Sequence, residues 1–230
     1  MKTIGIIGGM SWHSTALYYR LINEETHRRL GGCHSARILL DSLDFAEIEP
    51  LQQANDWSPI GTRLAHSARA LERSGAEGII IACNTVHRVF DHVVDAVNVP
   101  LIHIADALGN KLRKECVATV GILGTLHTMR GDFLGRRLQE SFRIEPRLPS
   151  EKDQDWLHRV IYSELAQGAA KPASQERLTG ITEGLKCGGA DAIALACTEL
   201  SLIANPKSIP LPSFDTAEIH AMAAVDWAFK

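Results

Sequence analysis

The fold is decided by the stretch Thr3–Met10, which reads TIGIIGGM, and by its near copy Thr119–Leu126, which reads TVGILGTL. Each is a short run of mostly β-branched apolar residues with glycines, which is typical of a buried parallel strand followed by a tight turn. Two further pairs follow in the same order and at nearly the same spacing: Ser74–Thr85 with Gly188–Glu199, and Val99–Ala107 with Ile209–Ala217. Three matches in one order predict two similar α/β halves.

Apolar runs alternate with amphipathic stretches along the chain, which predicts parallel sheets covered by helices on both faces. The predicted strands are Thr3–Ile7, Arg37–Leu40, Gly78–Ala82, Pro100–Ile104, Val117–Leu123 and Ala192–Ala196. The predicted helices are Ser14–Leu30, Gly61–Arg73, Thr85–Val97, Thr125–Phe142, Asp153–Gln167, Ser174–Cys187 and Thr216–Phe229. The remaining stretches Asn55–Pro59, Leu148–Ser150 and Asn205–Pro212 are predicted loops, because they are rich in Pro, Asn and Ser.

These elements predict an α/β fold of two similar Rossmann-like domains with parallel sheets, related by pseudo-twofold symmetry. The expected first domain is residues 1–97 together with 208–230, and it carries Cys83. The expected second domain is residues 98–207, and it carries Cys197. Ligands of such sheets bind beyond the carboxyl ends of the strands, so we expect the active site in a cleft between the two domains.

The composition is that of an average globular protein, with 45% hydrophobic and 22% charged residues and a formal net charge of −3. Without a basic block there is no electrostatic footprint for nucleic-acid binding. No apolar run approaches the ~20 residues that span a bilayer. The chain begins with a strand-like run rather than a signal peptide, so we expect a cytoplasmic protein.

The five cysteines are odd in number and contain no CxxC pair, which argues against a disulfide framework and against a structural metal site. Cys83 and Cys197 stand out because they occupy equivalent positions of the repeat, each directly after a buried strand and before a predicted helix. A helix N-terminus favours the thiolate. Its N–H groups, with the side chains of Asn84, Thr85 and Thr198, also suit a substrate carboxylate. The other three cysteines have no such setting: Cys33, Cys116 and Cys187.

Two chemistries are open to these thiols. A cysteine with a histidine four residues on, such as Cys83 with His87, suggests acyl transfer. The equivalent of His87 in the second half is Ser201, so that half has no such pair. Two matched acid/base groups on opposite faces of one carbon instead predict removal and return of a proton with inversion. The stretch Gly5–Ser11 is not a GxGxxG dinucleotide fingerprint, and we interpret it as a strand-to-helix turn near the substrate.

The chain resembles the aspartate/glutamate racemase superfamily along essentially its whole length. The matching motifs are IGIIGGMSW at Ile4–Trp12, ACNTVH at Ala82–His87, ILGTLHTM at Ile122–Met129, ACTEL at Ala196–Leu200 and FDTAEIHA at Phe214–Ala221. GGMSW and CTEL replace the DSG turn and the CTH motif of glutamate racemases proper, so the chain is most similar to the aspartate racemase branch. The resemblance implies racemisation of aspartate, glutamate or both without a cofactor or metal, by a homodimer.

The resemblance also assigns residues. It implies that Cys83 and Cys197 are the two catalytic bases. The implied substrate contacts are Met10, Ser11, Gln52, Asn84, Thr85, Thr125, Thr198 and Glu199. The motif loops contain no evident basic residue for a distal carboxylate, and Arg130 is the nearest candidate. His103 is a further candidate for lining the cleft.

Three alternatives remain open for the function. The first is a broad-specificity amino-acid racemase that acts on neutral substrates. The second is a maleate isomerase or malonate decarboxylase of the same superfamily. The third, from a different class, is a small-molecule binding module that kept the fold without the activity.

Overall fold

The structure is a computed structural model that describes residues 1–230. The chain divides into two compact units. The first unit comprises Met1–Ile104 and Ala217–Lys230, and the second comprises Ala105–Thr216. Both boundaries fall later in the chain than the sequence predicts. Residues 98–104 stay with the first unit because Leu101 pairs with Ile79 there, and residues 208–216 stay with the second because they contain a strand of its sheet.

Seventeen helices and strands follow one another along the chain. They are β1 (Ile4–Gly8), α1 (Trp12–Leu30), β2 (Ile38–Ser42), α2 (Phe45–Gln53), α3 (Trp57–Arg73), β3 (Gly78–Ile81), α4 (Phe90–Val94), α5 (Ile104–Lys114), β4 (Thr119–Leu123), α6 (Leu126–Met129), α7 (Gly135–Phe142), β5 (Glu145–Arg147), α8 (Glu151–Ser163), α9 (Pro172–Cys187), β6 (Ala192–Leu195), β7 (Ser213–Asp215) and α10 (Thr216–Ala228). Short 3₁₀ helices cover Thr85–Val89, Leu165–Gln167 and Thr198–Leu202.

Each unit contains one parallel sheet. The first sheet has the strand order β2-β1-β3, and the second has the order β5-β4-β6-β7. The predicted α/β class with two parallel sheets is therefore confirmed. Alternate residues of β1 point to opposite faces: Ile7 packs with Leu64 of α3, whereas Ile6 packs with Tyr18 of α1. Burying each such side chain contributes about 1.5–3 kcal/mol to folding.

The central strands of the two sheets are joined to their neighbours in the same way. After β3 the amide of Ala82 donates to the carbonyl of Ile7 over 2.9 Å, and after β6 the amide of Ala196 donates to that of Leu123 over 2.7 Å. The two hydrogen bonds join the same pair of strands in each unit, β3 to β1 in the first and β6 to β4 in the second. The first two repeat matches therefore correspond to the same local structure in both units.

The third repeat match is shifted by two residues. The amide of Ile79 donates to the carbonyl of Pro100, and the amide of Ile193 donates to that of Pro212, both over 2.9 Å. Hydrogen bonding thus aligns Pro100 with Pro212, whereas the sequence match aligned it with Pro210. One of these segments forms the edge strand β7, but the other forms a single bridge through Leu101, so the predicted strand Pro100–Ile104 is wrong.

Three predicted helices differ from the observed ones in their bounds or type. The predicted helix Thr125–Phe142 is divided into α6 and α7, and Gly131 lies in the turn between them, where a Cβ would overlap the carbonyl oxygen of His127. The predicted helix Thr85–Val97 is a 3₁₀ helix followed by the short α4. Helix α3 begins inside the predicted loop Asn55–Pro59, since proline is tolerated in the first turn of a helix. No helix has the length and apolar character needed to cross a membrane.

Candidate active site

The first unit places two loops side by side at the end of its sheet. The chain runs from β1 outward to β2 and returns on the other side of β1 as β3. The carboxyl ends of β1 and β3 are therefore neighbours at the point where the strand order reverses, which is where open α/β sheets bind ligands. Gly9, Met10 and Ser11 follow β1, and Cys83 follows Ala82 after β3.

The turn after β1 depends on its glycines. Gly9 has a φ of 91°, and a Cβ at this position would overlap the carbonyl oxygen of Leu43. The amide of Gly9 donates to Oγ1 of Thr15 over 2.8 Å. Ser11 caps α1, because its hydroxyl accepts from the amide of Ser14 over 3.4 Å. Met10, which lies between the end of β1 and the start of α1, is buried. The predicted strand-to-helix turn is confirmed.

The loop after β3 carries the first predicted cysteine. Cys83 is half-buried, whereas Asn84 and Thr85 are buried. Thr85 begins a 3₁₀ helix of five residues rather than the predicted α-helix. The loop after β6 is similar, since Cys197 immediately precedes the 3₁₀ helix that starts at Thr198. The predicted α-helix N-termini at the two cysteines are therefore wrong: these helices are too short to build a full macrodipole, and only local N–H groups can favour a thiolate there.

Gln52 lies in α2 of the first unit. Its side chain is 2% exposed, and its Nε2 has no hydrogen-bond partner. Leaving a buried polar group unsatisfied costs about 1–3 kcal/mol, so such groups are usually paired. The position therefore provides a buried donor that suits the carboxylate of a bound substrate.

His87 is bonded to the backbone of Cys83. Its Nδ1 lies 2.8 Å from the carbonyl oxygen of Cys83, and its Nε2 lies 3.3 Å from the amide nitrogen of Ile104. Burial, followed by the neighbouring His103 and His220, lowers the pKa of His87 well below its ordinary value. A neutral ring with a proton on Nδ1 satisfies both bonds, which does not match the activating base of a Cys–His pair.

His103 is 4% exposed and packs against the rings of His87 and Phe90. It therefore belongs to the interior of the first unit. Our expectation that it lines a cleft finds no support in this packing.

The second unit repeats the arrangement with different chemistry. Thr125 follows β4 and caps α6, accepting from the amide of Thr128 over 3.3 Å. The thiol of Cys197 donates to Oε2 of Glu199 over 3.1 Å. The hydroxyl of Thr198 donates to the same oxygen over 2.8 Å. Glu199, which the resemblance assigned to substrate binding, is thus a direct partner of the thiol.

Arg130, the predicted ligand of a distal carboxylate, is hydrogen-bonded to two residues of α8. Its Nε donates to Oε1 of Gln154 and its terminal nitrogen to Oδ1 of Asp155, both over 2.9 Å. The side chain is 48% exposed. These bonds direct two of the donors of Arg130 toward α8 instead of toward a distal carboxylate.

The ten predicted site residues divide between the units. The first unit holds six of them, at the ends of β1 and β3 and in α2: Met10, Ser11, Gln52, Cys83, Asn84 and Thr85. The second unit holds four of them, at the ends of β4 and β6: Thr125, Cys197, Thr198 and Glu199. The bond between His87 and the Cys83 carbonyl is not predicted from the sequence, although the spacing of four residues between them is the signal for it.

Comparison with known proteins gives one consistent answer. A family model described as Asp/Glu/Hydantoin racemase matches residues 7–224. The solved structure of a candidate Asp/Glu racemase from Yersinia pestis matches with a TM-score of 0.95 at 41% identity over 100% of both chains. That of an aspartate racemase homologue from Pyrococcus horikoshii matches with 0.85 at 36% identity, also over 100% of both.

A third relative has a broader description. The broad-specificity amino-acid racemase RacX of Bacillus subtilis is 22% identical over 96% of this chain and 96% of its own. The family match spans nearly the whole chain and includes both cysteine loops. As the sequence resemblance predicts, the chain belongs to the Asp/Glu/Hydantoin racemase family.

Proposed function

We propose that this protein is a cofactor-independent amino-acid racemase of the aspartate/glutamate type, in which Cys83 and Cys197 act on opposite faces of one α-carbon. The observation that carries the proposal is the equivalence of the two cysteines. Each follows a buried strand, one residue after the amide that is bonded to the neighbouring strand, Ala82 to Ile7 and Ala196 to Leu123. Matched acid/base groups are what inversion requires.

The reaction is written as two proton transfers. The thiolate of one cysteine takes the α-proton, and the electron pair of the C–H bond remains on the α-carbon. The thiol of the other cysteine then protonates that carbon from the opposite face and becomes a thiolate. The enzyme has gained one proton and lost one, and the reverse reaction exchanges the two roles.

Glu199 supports the acid role of Cys197. A carboxylate that accepts the thiol proton at 3.1 Å favours the S–H form over the thiolate, because two negative charges at that distance repel. We therefore propose that Cys197 begins as the proton donor and that Cys83 begins as the base. The same oxygen accepts from Thr198, which holds the carboxylate in this position.

The substrate α-carboxylate needs donors that lie away from the thiols. Nε2 of Gln52 is a buried donor with no partner in the protein. Asn84 and Thr85 supply further polar side chains, and both are buried after β3. Hydrogen bonds from such groups withdraw charge from the α-carbon as the carbanion forms, so they stabilise the transition state. Met10, Ser11 and Thr125 at the ends of β1 and β4 complete the proposed set.

The test is α-proton exchange in heavy water. Single enantiomers of aspartate and glutamate are incubated with the protein, without added cofactor, while optical rotation and deuterium at the α-carbon are followed. Racemisation with deuterium uptake from both enantiomers is expected. Cys83→Ser and Cys197→Ser should each abolish full racemisation and retain exchange from one enantiomer only. Cys33→Ser and Cys187→Ser, at exposed cysteines, are the matched controls.

Unchanged racemisation in both active-site variants would contradict the two-thiol proposal. Binding that raises the unfolding temperature without any exchange would favour a binding module. Formation of fumarate from maleate, or loss of carbon dioxide from a substituted malonate, would favour the isomerase or decarboxylase alternative.

Neutral amino acids are a second candidate for the substrate. The observation that favours them is the bonding of Arg130 to Gln154 and to the carboxylate of Asp155, which already supplies this guanidinium with a counter-charge. Arg130→Met should then leave the ratio of kcat/KM for aspartate to that for alanine within about twofold. A tenfold fall in that ratio, about 1.4 kcal/mol, would restore Arg130 as the carboxylate ligand.

The resemblance further implies a homodimer, which we retain as part of the proposal together with the expected cytoplasmic location. Light scattering of the purified protein measures the mass directly and compares it with the 25.2 kDa of one chain. A mass of one chain at working concentrations would contradict the dimer.

A further inference from the structure

Three imidazoles are buried together behind the loop of Cys83. The ring of His87 lies 4.8 Å from that of His103 and 5.6 Å from that of His220. His220, in α10, lies with Nδ1 2.9 Å from the hydroxyl of Tyr18 and with Nε2 2.8 Å from the carbonyl of Ile102. All of these residues belong to the first unit. The histidines thus connect the Cys83 loop with the segment that leads into α5.

His87 is the member of this cluster that reaches the catalytic loop. Its Nδ1 donates to the carbonyl of Cys83 over 2.8 Å, and its Nε2 accepts from the amide of Ile104 over 3.3 Å. Ile104 is the first residue of α5, and the first amides of a helix have no partner within the helix. The ring therefore ties the Cys83 backbone to the start of α5. Burial lowers the pKa of His87 and favours the neutral ring, which leaves Nε2 unprotonated and able to accept from Ile104 while Nδ1 donates to Cys83.

The second unit holds its cysteine differently. There the carbonyl of Cys197 accepts from the backbone amide of Leu200 over 3.1 Å. Ser201, the repeat equivalent of His87, donates through its hydroxyl to the carbonyl of Thr198 over 2.7 Å. A side chain thus bonds the cysteine carbonyl in the first unit, where the second unit uses its own backbone. The histidine contact is specific to Cys83.

We propose that His87 is a positioning residue for Cys83, which holds the Cys83 carbonyl and thereby sets the direction of the thiol. The inference rests on the proposed function. Cys83 is half-buried, so packing alone leaves its side chain some freedom. A misplacement of about 1 Å at a reacting group costs up to about 100-fold in rate. Loss of the His87 contact should therefore slow the steps that use Cys83 and spare those that use Cys197.

The test uses two amides that each mimic one ring nitrogen. In His87→Asn the amide nitrogen takes the place of Nδ1 and keeps the bond to the Cys83 carbonyl. In His87→Gln it takes the place of Nε2, and the bond to that carbonyl is lost. Both changes are made in a Cys197→Ser background, where exchange from one enantiomer depends on Cys83 alone, and His87→Gln is also made in a Cys83→Ser background.

We expect His87→Gln to lower the Cys83-dependent exchange by about tenfold to 100-fold, and His87→Asn to restore it to within about threefold. Exchange that depends on Cys197 should fall by less than about threefold. The proposal would be overturned if His87→Gln and His87→Asn lowered the exchange rate equally. It would also be overturned if His87→Gln lowered the rate equally in the two cysteine backgrounds, because His87 would then act through packing alone.

A second readout does not need turnover. The rate at which iodoacetamide alkylates Cys83, followed by peptide mass spectrometry, should differ at least threefold between His87→Gln and wild type and stay near wild type in His87→Asn. If His87→Gln does not fold, His87→Leu replaces it in both measurements. If the cysteine variants racemise normally, the proposed function fails, whereas equal alkylation rates overturn the positioning role alone.

Discussion

The thiol of Cys197 is hydrogen-bonded to the carboxylate of Glu199, with 3.1 Å between Sγ and Oε2. The two residues are separated by Thr198 alone, whose hydroxyl donates to the same oxygen. In the other unit the corresponding loop presents a different neighbour, because an imidazole is bonded to the backbone of Cys83. The two cysteines thus share a position in the fold but not an environment. This asymmetry allows each thiol to be tested separately.

Removal of the Glu199 charge should make Cys197 more reactive. In Glu199→Gln no negative charge opposes the thiolate, so a larger thiolate fraction is present near neutral pH. We expect iodoacetamide to alkylate Cys197 about threefold to tenfold faster, with Cys83 unchanged. Glu176→Gln, at an exposed position of α9, is the control. Equal alkylation of Cys197 in wild type and Glu199→Gln would refute the coupling.

Gln52 should matter for binding and not for stability. Gln52→Leu removes a buried Nε2 that has no hydrogen-bond partner and introduces an apolar side chain of similar size, so the melting temperature should stay the same or rise. A hydrogen bond to a charged group is worth about 1.5–3 kcal/mol, so kcat/KM should fall by about tenfold to 100-fold. Gln53→Leu, at the neighbouring exposed residue, should change neither quantity. Loss of stability without loss of kcat/KM would show that Gln52 is structural.

The turn after β1 should tolerate no side chain at Gly9. Gly9→Ala combines a positive φ with an overlap between Cβ and the carbonyl of Leu43, and we expect it to lower the free energy of unfolding by about 3 kcal/mol or more. Gly168→Ala has a left-handed φ of 75° and ψ of 10° with open space around the new Cβ, so it should cost only about 1 kcal/mol. Urea denaturation measures both. Similar losses would mean that the overlap with Leu43 is relieved by a shift of the loop.

The neutral state of His87 makes stability depend on pH. Its pKa in the folded protein lies below the ordinary value of 6.5, so the unfolded chain takes up the proton first as the pH falls. The free energy of unfolding should therefore fall below pH 6.5, by up to about 1.4 kcal/mol per pH unit from this group. His103 and His220 face His87 and remain in His87→Gln, so the difference in slope between the two proteins isolates His87. Parallel slopes from pH 6.5 to 5 would contradict the assignment.

The secondary structure was predictable where burial imposes a pattern and less so elsewhere. Strands β1, β3, β4 and β6 are continuous apolar runs, because both faces of each strand are covered. The edge strands β5 and β7 have only three residues each and carry no such run, so the sequence did not reveal them. The segment after Val99 reads as a strand but forms a single bridge, between Leu101 and Ile79 of β3, with backbone hydrogen bonds that join Ile79 to Pro100 and Ile102.

The candidate site is likewise predictable only where its features are local in the sequence. Strand patterning and the repeat are local properties of the chain, so the sequence alone predicts that each of two similar halves places a cysteine directly after a buried strand. The surroundings of the two thiols depend instead on tertiary contacts. The bond from His87 to Cys83 leads on to Ile104, and the partners of Arg130 come from α8, which is distant in sequence. The lack of a partner at Gln52 is likewise set by packing around α2. Such contacts depend on how separate elements meet, which no short stretch of sequence encodes.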